Sequence, residues 1–221
     1  MSRSDKIVFQ SEVNAKEYKD LYGITDEKIF ILNNNCNPSW VGKKSNLNLS
    51  KGFNIGYLGN IYKNKGLKVL IDAFQLVSKK NQNCYLTVIG DGPDRSFFEN
   101  YYVKKVGVHN VRFLGHLNKG QNYIHNFDLM VVPSFMEAFP NVILESLYYS
   151  TPVLASDIGG IPTILNKYFL FQVGDYKGLA KKIETMLNKE SFELAKEKTE
   201  ETRNKFIFDW GRAFYNIIKK N

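Results

Sequence analysis

The sequence has few cysteines, prolines and histidines, and it contains no long apolar run. Its 221 residues include 2 Cys, 6 Pro and 3 His. Cys36 lies in an asparagine-rich loop and Cys84 opens a strand, so both are predicted to be free thiols in a reducing compartment. No apolar run reaches the roughly 18 residues that span a bilayer, and the polar N-terminus does not resemble a signal peptide. These features predict a cytoplasmic protein.

Acidic residues are in the minority, which leaves a formal net charge of +8 carried largely by scattered lysines. Scattered lysines are typical of a solvated surface, and the same charge would also attract a diphosphate ligand or an anionic membrane surface. No recognition motif accompanies the charge, so nucleic acid is not predicted as a partner. His109, His116 and His125 lack metal-ligand spacing and are interpreted as structural or surface residues. No metal site is predicted.

From residue 53 onward, short apolar strands alternate with helical segments. Near-continuously apolar strands between helices are typical of a parallel sheet that is covered on both faces. The pattern therefore predicts an α/β fold with a doubly wound, Rossmann-like parallel sheet, whose ligands bind at the carboxyl ends of the strands. The predicted strands are residues 54–58, 85–89, 111–114, 129–132, 152–155 and 169–173.

The first part of the chain reads differently, as a strand–helix–strand unit followed by a polar stretch. Its strands are too few to form a core alone, and the asparagine-rich and lysine-rich residues that follow are typical of a connector. The last predicted element is an amphipathic helix that carries Trp210 and Phe214. The predicted organisation is an N-terminal segment 1–32, a linker 33–51, a ligand-binding domain 52–206 and a C-terminal helix 207–221.

Two loops at strand ends combine features that suit an anionic ligand. In GNIYKNKG (59–66), Gly59 allows close backbone approach and Lys65 precedes a helix, where the helix dipole disfavours a cation unless an anion binds between them. In EAFPNVILE (137–145), a helix opened by Pro140 presents free amide groups that suit a phosphate. Glu137 and Glu145 flank that helix start, so the sequence predicts an anion site with two acids beside it.

Two further loops follow the second and third strands of the alternating region. GDGP (90–93) matches half of the dinucleotide-binding fingerprint, but Arg95 replaces the third glycine and the motif follows the second strand rather than the first. A dehydrogenase is therefore disfavoured. A tight strand-to-helix turn without a ligand is as good an interpretation of this motif as a ligand-binding loop. Leu114 and Gly115 offer backbone groups to a planar ligand.

Taken in order, these motifs resemble the C-terminal, donor-binding half of a family 4 (group 1) glycosyltransferase of GT-B architecture. The resemblance covers residues 53–219, and residues 1–50 are similar to the last strand–helix–strand of the family's N-terminal half plus its linker. The motifs that carry it are GNIYKNKG (59–66), GDGP (90–93), VRFLG (111–115), EAFPNVILE (137–145), TPV (151–153) and GGIP (159–162).

The resemblance implies a retaining hexosyltransferase for polysaccharide or glycoconjugate synthesis. Such an enzyme transfers a sugar from a nucleoside diphosphate sugar, here a UDP- or GDP-sugar, to a saccharide or lipid-linked acceptor, without a metal or other cofactor. By the family pattern Lys65 contacts the phosphates, Glu137 the sugar hydroxyls and Glu145 the ribose, and Lys65 and Glu137 are the catalytic residues. The substrate-binding residues implied are Gly59, Asn60, Gly90, Gly92, Leu114, Phe139, Asn141, Val142 and Glu145.

This chain departs from the family pattern in several places. Asn60 stands where the family usually has arginine, Ala138 and Pro140 replace two loop glycines, and Thr163 replaces a frequent glutamate. Asn60 cannot supply a charged fork, so one phosphate-binding cation is lost.

The resemblance also leaves the acceptor side unaccounted for. The family's acceptor site comes from an N-terminal domain, so this chain is expected to bind a nucleotide sugar but to transfer little alone, with peripheral association at the inner face of a membrane as a further expectation. A nucleotide-sugar-binding subunit and a non-catalytic scaffold stay open as alternatives. A glycosidase is disfavoured, because one acid lies in a loop and the other about two turns along the following helix.

Overall fold

A computed structural model of the chain describes residues 5–36, 43–105 and 110–219. The strands are β1 (Ile7–Phe9), β2 (Ile29–Ile31), β3 (Phe53–Leu58), β4 (Cys84–Ile89), β5 (Val111–Gly115), β6 (Leu129–Val132), β7 (Val153–Ser156) and β8 (Leu170–Phe171). The α-helices are α1 (Glu12–Tyr22), α2 (Leu67–Lys80), α3 (Arg95–Lys105), α4 (Asn141–Tyr148), α5 (Ile161–Ile164), α6 (Tyr176–Met186), α7 (Lys189–Lys205) and α8 (Trp210–Lys219). Short 3₁₀ helices occupy Asp26–Lys28, Lys63–Lys65 and Gly120–Asn126.

The main sheet has six strands in the order β5-β4-β3-β6-β7-β8, and every neighbouring pair is parallel. From β3 the chain first builds outward through β4 and β5, and then returns to place β6 on the other side of β3. The strand order therefore reverses between β3 and β6, which is where open α/β sheets bind ligands. The predicted doubly wound parallel sheet is confirmed.

Helix α2 shows why periodicity in this region was informative. Its apolar residues recur at helical spacing on one face, and this face packs on the sheet. The central strands β3, β4, β6 and β7 are largely buried on both faces; all four residues of β6 are buried, for example. Such strands have no solvent side that would require polar residues. The buried face of α2 includes Leu67, Leu70, Ile71, Phe74 and Val77.

The N-terminal unit is a separate two-stranded parallel sheet, β1 with β2, crossed by α1. Ser11 caps α1 by accepting a hydrogen bond from the Asn14 amide, and Gly23 ends it in the left-handed conformation at φ 62°. The unit has its own small cluster of Phe9, Ala15 and Ile24. The predicted domain boundaries stay predictions, and residues 37–42 of the linker lie outside the described residues.

Side chains after β2 tie this unit to the main domain. Asn34 Nδ2 donates to Asn141 Oδ1 at 2.8 Å, and Asn35 Nδ2 donates to the Phe208 carbonyl at 2.7 Å. Cys36 Sγ lies 3.3 Å from the carbonyl oxygen of Leu144. The N-terminal unit is thus held against the start of α4 and the segment between α7 and α8.

Both cysteines are free, as the sequence predicted, and both are buried. Burial raises the pKa of the Cys36 thiol to about 11 and that of the Cys84 thiol to about 12. Both groups are therefore protonated and unreactive near neutral pH.

Several predicted elements differ from the observed ones. Pro140 is the residue before α4 and not its first residue, because its φ and ψ of −73° and 118° are extended. The strand predicted at 169–173 shortens to β8, Leu170–Phe171.

Helix α7 is the one large element that hydrophobic periodicity missed. It is strongly polar, and the face that it buries consists of small residues, Ala195, Thr199 and Thr202, at helical spacing. A search for large apolar residues does not register such a face. The hydroxyl groups of both threonines donate to carbonyls four residues earlier, at 2.7 and 2.8 Å, so their burial leaves no donor unpaired.

Candidate active site

The loops after β3 and β4 touch each other through their backbones. A side chain on Gly90 would collide with the carbonyl of Gly59, and one on Gly92 would collide with the carbonyl of Ile61. The Ile61 amide also donates to the Asp91 carbonyl at 2.9 Å. Gly90 and Gly92 of the GDGP motif are therefore required by the close contact between the two loops.

Lys65 is brought to the next loop by the short 3₁₀ helix Lys63–Lys65. Gly66 ends that helix with a φ of 71°, and a side chain at this position would collide with the carbonyl of Pro133. The backbone after β3 therefore lies directly against the backbone after β6. This contact places the Lys65 side chain beside residues 134–137.

Glu137 is held by two hydrogen bonds to one of its oxygens. Lys65 Nζ lies 2.8 Å from Glu137 Oε1, and the Ser134 hydroxyl donates to the same oxygen at 2.9 Å. The loop that carries Glu137 is supported from behind by Gly159, where a side chain would collide with the Glu137 carbonyl. The GGIP motif thus supports the acidic loop through a backbone contact.

Helix α4 starts at the same place and points its N-terminus into the space beside Lys65. Pro140 precedes the helix without a side-chain cap, and Asn141 and Val142 form its first turn. The amide groups of a first turn have no partner inside the helix and carry the positive end of its dipole. An ammonium group and a helix N-terminus therefore face the same cavity, which suits a diphosphate.

Two adjoining cavities form one cleft at the carboxyl ends of β3, β4 and β6. Their volumes are about 280 Å³ and about 380 Å³, and both are lined by Leu58, Gly59, Asn60 and Val142. The first cavity is further lined by Tyr57, Lys65, Val131, Val132, Ser134, Glu137, Pro140 and Asn141. The second is further lined by Ile89, Gly90, Asp91, His116, Leu117, Gly120, Gln121 and Glu145.

A comparison with protein-family models decides what this cleft belongs to. Residues 41–205 match the family model described as glycosyl transferases group 1. That match covers most of the chain and includes every loop that lines the cleft. The chain belongs to the group 1 glycosyltransferase family.

Curated relatives of this group 1 glycosyltransferase chain include proteins of polysaccharide synthesis. The capsular polysaccharide biosynthesis glycosyltransferase CapM of Staphylococcus aureus is 31% identical over 221 residues, covering 96% of this chain and 57% of the relative. An α-1,4-N-acetyl-D-galactosaminyltransferase of Campylobacter jejuni is 33% identical over 141 residues, covering 62% of this chain and 39% of the relative. The chain spans about half the length of the curated relatives that it matches.

Solved structures share the fold of this glycosyltransferase chain. Anabaena HepE, in a structure with UDP and glucose, superposes with a TM-score of 0.84 at 19% identity, covering 98% of this chain and 62% of that chain. At this level of identity the likeness supports the GT-B fold and not a substrate.

The structure brings most of the predicted site residues of this family member into the cleft. Gly92, Leu114 and Phe139 do not line it. Gly92 packs against the backbone of Ile61 in the contact between the two loops. Phe139 is buried, and its ring centroid lies 6.2 Å from that of Phe206. The predicted residues that do line the cleft are Gly59, Asn60, Lys65, Gly90, Glu137, Asn141, Val142 and Glu145.

Several lining residues were not predicted: Asp91 lies inside the GDGP motif but was given no role, and the others lie outside the motifs. His116 and Leu117 directly follow β5 and line the second cavity in place of Leu114. The interpretation of His116 as a structural or surface residue stays a prediction, since its side chain is exposed at the second cavity, whereas His125 contacts Asn46 and Tyr149 outside the cleft. His109 lies outside the described residues. The missed lining residues include Ser134, Asp91, His116, Leu117, Gly120 and Gln121.

The carboxyl group of Glu145 is electrostatically unlike that of Glu137. Burial raises the pKa of Glu145 from 4.5 to about 7. Beneath the first cavity, burial and the charge of Glu137 together raise the pKa of the Tyr57 hydroxyl, which donates to the Asn60 carbonyl at 3.0 Å. The cleft therefore holds one carboxyl group in an ion pair, that of Glu137, and one whose pKa is raised by burial, that of Glu145.

Within the described ranges, no three His, Cys, Asp or Glu side chains come together as a group that could hold a metal ion. In the same ranges, no helix combines the length and the apolar character needed to cross a membrane.

Proposed function

We propose that this chain binds a nucleoside diphosphate sugar and forms the donor-binding part of a retaining glycosyltransferase. The observation that carries the proposal is the shared cavity of Lys65, the N-terminus of α4 and Glu137, which continues into a second cavity beside Glu145. In the reaction the bond between the sugar and the diphosphate breaks, and the diphosphate leaves with the electron pair. A cation and free amide groups stabilise the charge that develops there.

The two carboxylates take different parts of the extended donor. Glu137, fixed by Lys65 and Ser134, accepts hydrogen bonds from the transferred sugar in the first cavity. Glu145 accepts them from the ribose hydroxyls in the second cavity. A glycosidase instead needs both carboxyls across one scissile bond. Glu137 is engaged in an ion pair with Lys65, and it lines a different cavity from Glu145. Both observations favour the transferase over the glycosidase.

The nature of donor and acceptor rests on the relatives and is part of the proposal. HepE was solved with UDP and glucose, CapM is named for capsular polysaccharide biosynthesis, and the Campylobacter relative is named for an undecaprenol diphosphate-linked glycan. We propose a UDP- or GDP-sugar as donor, no metal or other cofactor, and a saccharide or lipid-linked acceptor for a hexosyl transfer near the inner face of a membrane.

We further propose that transfer requires an acceptor site outside these 221 residues. The chain covers 57% of CapM and 62% of HepE, so both contain a further part of comparable size. We expect the isolated chain to bind the donor without turning it over. A separate acceptor-binding subunit would serve equally well.

The first test is calorimetric titration of the chain with UDP, GDP and ADP, alongside Glu145→Ala. Saturable binding of one nucleotide, weakened several-fold in the variant, would support donor binding and identify the base. Absence of binding by all three, with the fold intact, would instead favour a non-catalytic scaffold.

Replacing Asn60 by arginine should strengthen binding of the preferred nucleoside diphosphate by roughly tenfold, because charged hydrogen bonds contribute about 1.5–3 kcal/mol. The Asn60 side chain is exposed, and its position lines both cavities. Titration of the nucleoside diphosphate and of its nucleoside distinguishes a phosphate effect from a general one. Equal gains for both ligands would contradict the assignment of the first cavity to phosphate.

Nucleotide affinity should depend on pH through Glu145. Ribose hydroxyls donate to the ionised carboxylate, so binding lowers its pKa below the free value of about 7. Affinity should then rise with pH by up to about tenfold per unit below neutrality and level off above it. In Glu145→Gln this rise of affinity with pH should disappear, and only the pH dependence due to the diphosphate itself should remain. Superimposable pH profiles of the two proteins would exclude this role.

A further inference from the structure

The loop 134–137 has two faces, and only one belongs to the donor cleft. Ser134 and Glu137 line the first cavity of the cleft. Phe135 and Met136 do not, and they are 42% and 72% exposed. The Phe135 amide donates to the Asn64 carbonyl at 2.9 Å, which fixes the loop backbone between the two faces. Two large apolar side chains are thus presented outward by an anchored segment, which calls for an explanation.

Phe135 borders a third cavity, which lies outside the donor cleft. It has a volume of about 440 Å³ and shares no lining residue with the two donor cavities. Phe97 forms part of its rim with its side chain 49% exposed, and Phe98 is buried behind it. The residues lining this cavity are Lys63, Lys68, Val69, Asp72, Phe97, Phe98, Phe135, Gly174 and Tyr176.

Basic residues surround this apolar space. Lys63 Nζ stands 5.7 Å from the centroid of the Phe97 ring, and Lys68 Nζ stands 4.9 Å from that of Tyr101. The acidic residue of the lining, Asp72, is neutralised by Lys68 at 2.7 Å and accepts a hydrogen bond from the Tyr101 hydroxyl, also at 2.7 Å. Among the charged residues of the lining, and within the described part of the chain, this leaves Lys63 without an acidic side-chain partner, so the surface combines exposed apolar groups with one positive charge.

This combination favours one kind of partner. A bound glycan needs many hydrogen-bonding groups, and most of the lining of this cavity is aromatic or aliphatic. An anionic lipid offers both an apolar chain and a negative headgroup, and aromatic side chains beside lysines are typical of proteins that lie at a membrane interface. The net charge of +8 on the whole chain acts in the same direction.

We propose that Lys63, Phe97, Phe135 and Met136, with the cavity between them, form a docking surface for an anionic phospholipid membrane. Phe97, Phe135 and Met136 enter the interface, an acyl chain occupies the cavity, and Lys63 faces the headgroups. Glu137 directly follows Met136, so seating the surface also places the sugar-binding loop at the membrane. This docking surface rests on the proposed transferase function, for which it provides the membrane contact. Its lipid binding requires no nucleotide and can therefore be tested separately.

The test is flotation of the purified chain with vesicles of phosphatidylcholine alone and of phosphatidylcholine mixed with phosphatidylglycerol. We expect binding to the anionic vesicles that weakens with salt. Phe97→Ser combined with Met136→Ser should reduce partitioning by about tenfold or more, because each side chain loses its apolar transfer free energy. Lys63→Glu should weaken binding to the anionic vesicles mainly at low salt, because salt screens the charge interaction.

The matched control is Leu21→Ser combined with Tyr22→Ser on α1, where both side chains are similarly exposed at 67% and 61%. These changes remove comparable apolar surface elsewhere and should leave vesicle binding unchanged. Thermal unfolding of each variant checks the fold, and the single Met136→Ser variant serves if the double variant is unstable. Nucleotide titration of the same proteins separates this surface from donor binding.

Several outcomes would overturn the proposal. These are equal binding of wild type to neutral and anionic vesicles, absence of binding to both, or equal losses in the α1 control. Concentration-dependent self-association that the Phe97 and Met136 variants abolish, without vesicle binding, would assign the surface to a second copy of the chain. Retention of an oligosaccharide there would assign it to a glycan.

Discussion

Lys65→Ala should weaken binding of the preferred nucleoside diphosphate by roughly tenfold to a hundredfold, since a hydrogen bond to a charged group contributes about 1.5–3 kcal/mol. Lys65 is the cation that lines the first cavity, and Asn60, which also lines it, carries no charge. Removing Lys65 also leaves Glu137, whose side chain is 15% exposed, without its ion-pair partner at 2.8 Å. Its negative charge then repels the diphosphate.

This second effect makes the prediction sharper than a simple loss of contact. The double variant Lys65→Ala with Glu137→Gln should recover part of the lost affinity for the nucleoside diphosphate, because the repelling carboxylate is gone. Calorimetric titrations of wild type, both single variants and the double variant give the coupling between the two side chains. The salt dependence of binding should also decrease in Lys65→Ala.

The chain offers a matched control in Lys80, which pairs with Glu184 Oε1 at the same 2.8 Å. Neither residue lines either donor cavity. Lys80→Ala removes one lysine and one ion pair, as Lys65→Ala does, and should leave nucleotide affinity within about twofold, because exposed ion pairs contribute little. Similar affinities for the Lys65→Ala and Lys80→Ala variants would rule out a phosphate-binding role for Lys65.

Gly66→Ala should be among the most destabilising single-methyl additions in the protein. At φ 71° an alanine adopts the left-handed conformation at a cost of roughly 1–2 kcal/mol. Its Cβ would also collide with the carbonyl of Pro133, and overpacking of this kind costs about 1–3 kcal/mol more. A total of roughly 2–5 kcal/mol is a large share of the usual 5–15 kcal/mol of domain stability.

Gly23→Ala separates the two contributions. Gly23 has a similar φ of 62°, but nothing lies within 4 Å of the position that its Cβ would occupy. It should therefore lose only the conformational part, about 1–2 kcal/mol. Urea unfolding followed by circular dichroism measures the free energy of unfolding of both variants. Equal losses would mean that the backbone after β3 does not lie as closely against that after β6 as the structure has it.

The same contact links stability to binding. The close approach of Gly66 to Pro133 is what places Lys65 beside the loop of Glu137. Any shift that relieves the collision in Gly66→Ala would move Lys65 out of the first cavity. Where the variant still folds, its nucleotide affinity should fall as well, whereas the affinity of Gly23→Ala should be unchanged.

Much of the architecture could be predicted because its signals are local. The apolar face of α2 recurs at helical spacing, β6 is an uninterrupted apolar run, and Gly23 ends α1 as expected. The signal failed where burial does not involve large apolar residues. Helix α7 buries Ala195, Thr199 and Thr202, and Pro140 was placed one position too far into α4.

The candidate site was predicted less completely than the fold. Several of the motifs lie in loops that line the cleft, but they did not show which side chains point into it. Phe139 sits within a recognised motif and is nevertheless buried against Phe206, whereas His116 follows a motif and lines the second cavity. Side-chain direction depends on how each loop packs on its neighbours, and that packing involves residues far apart in the chain.

The amino-acid sequence alone was sufficient for the alternation of strands and helices, the parallel sheet, and the family to which the motifs point. These follow from hydrogen bonding and hydrophobic periodicity over a few residues. Only the tertiary structure decided the pairing of Lys65 with Glu137, the burial that raises the pKa of Glu145, and the exposure of Phe135 and Met136 on the opposite face of the same loop. Each of these depends on contacts between segments distant in the chain, which local patterns do not encode.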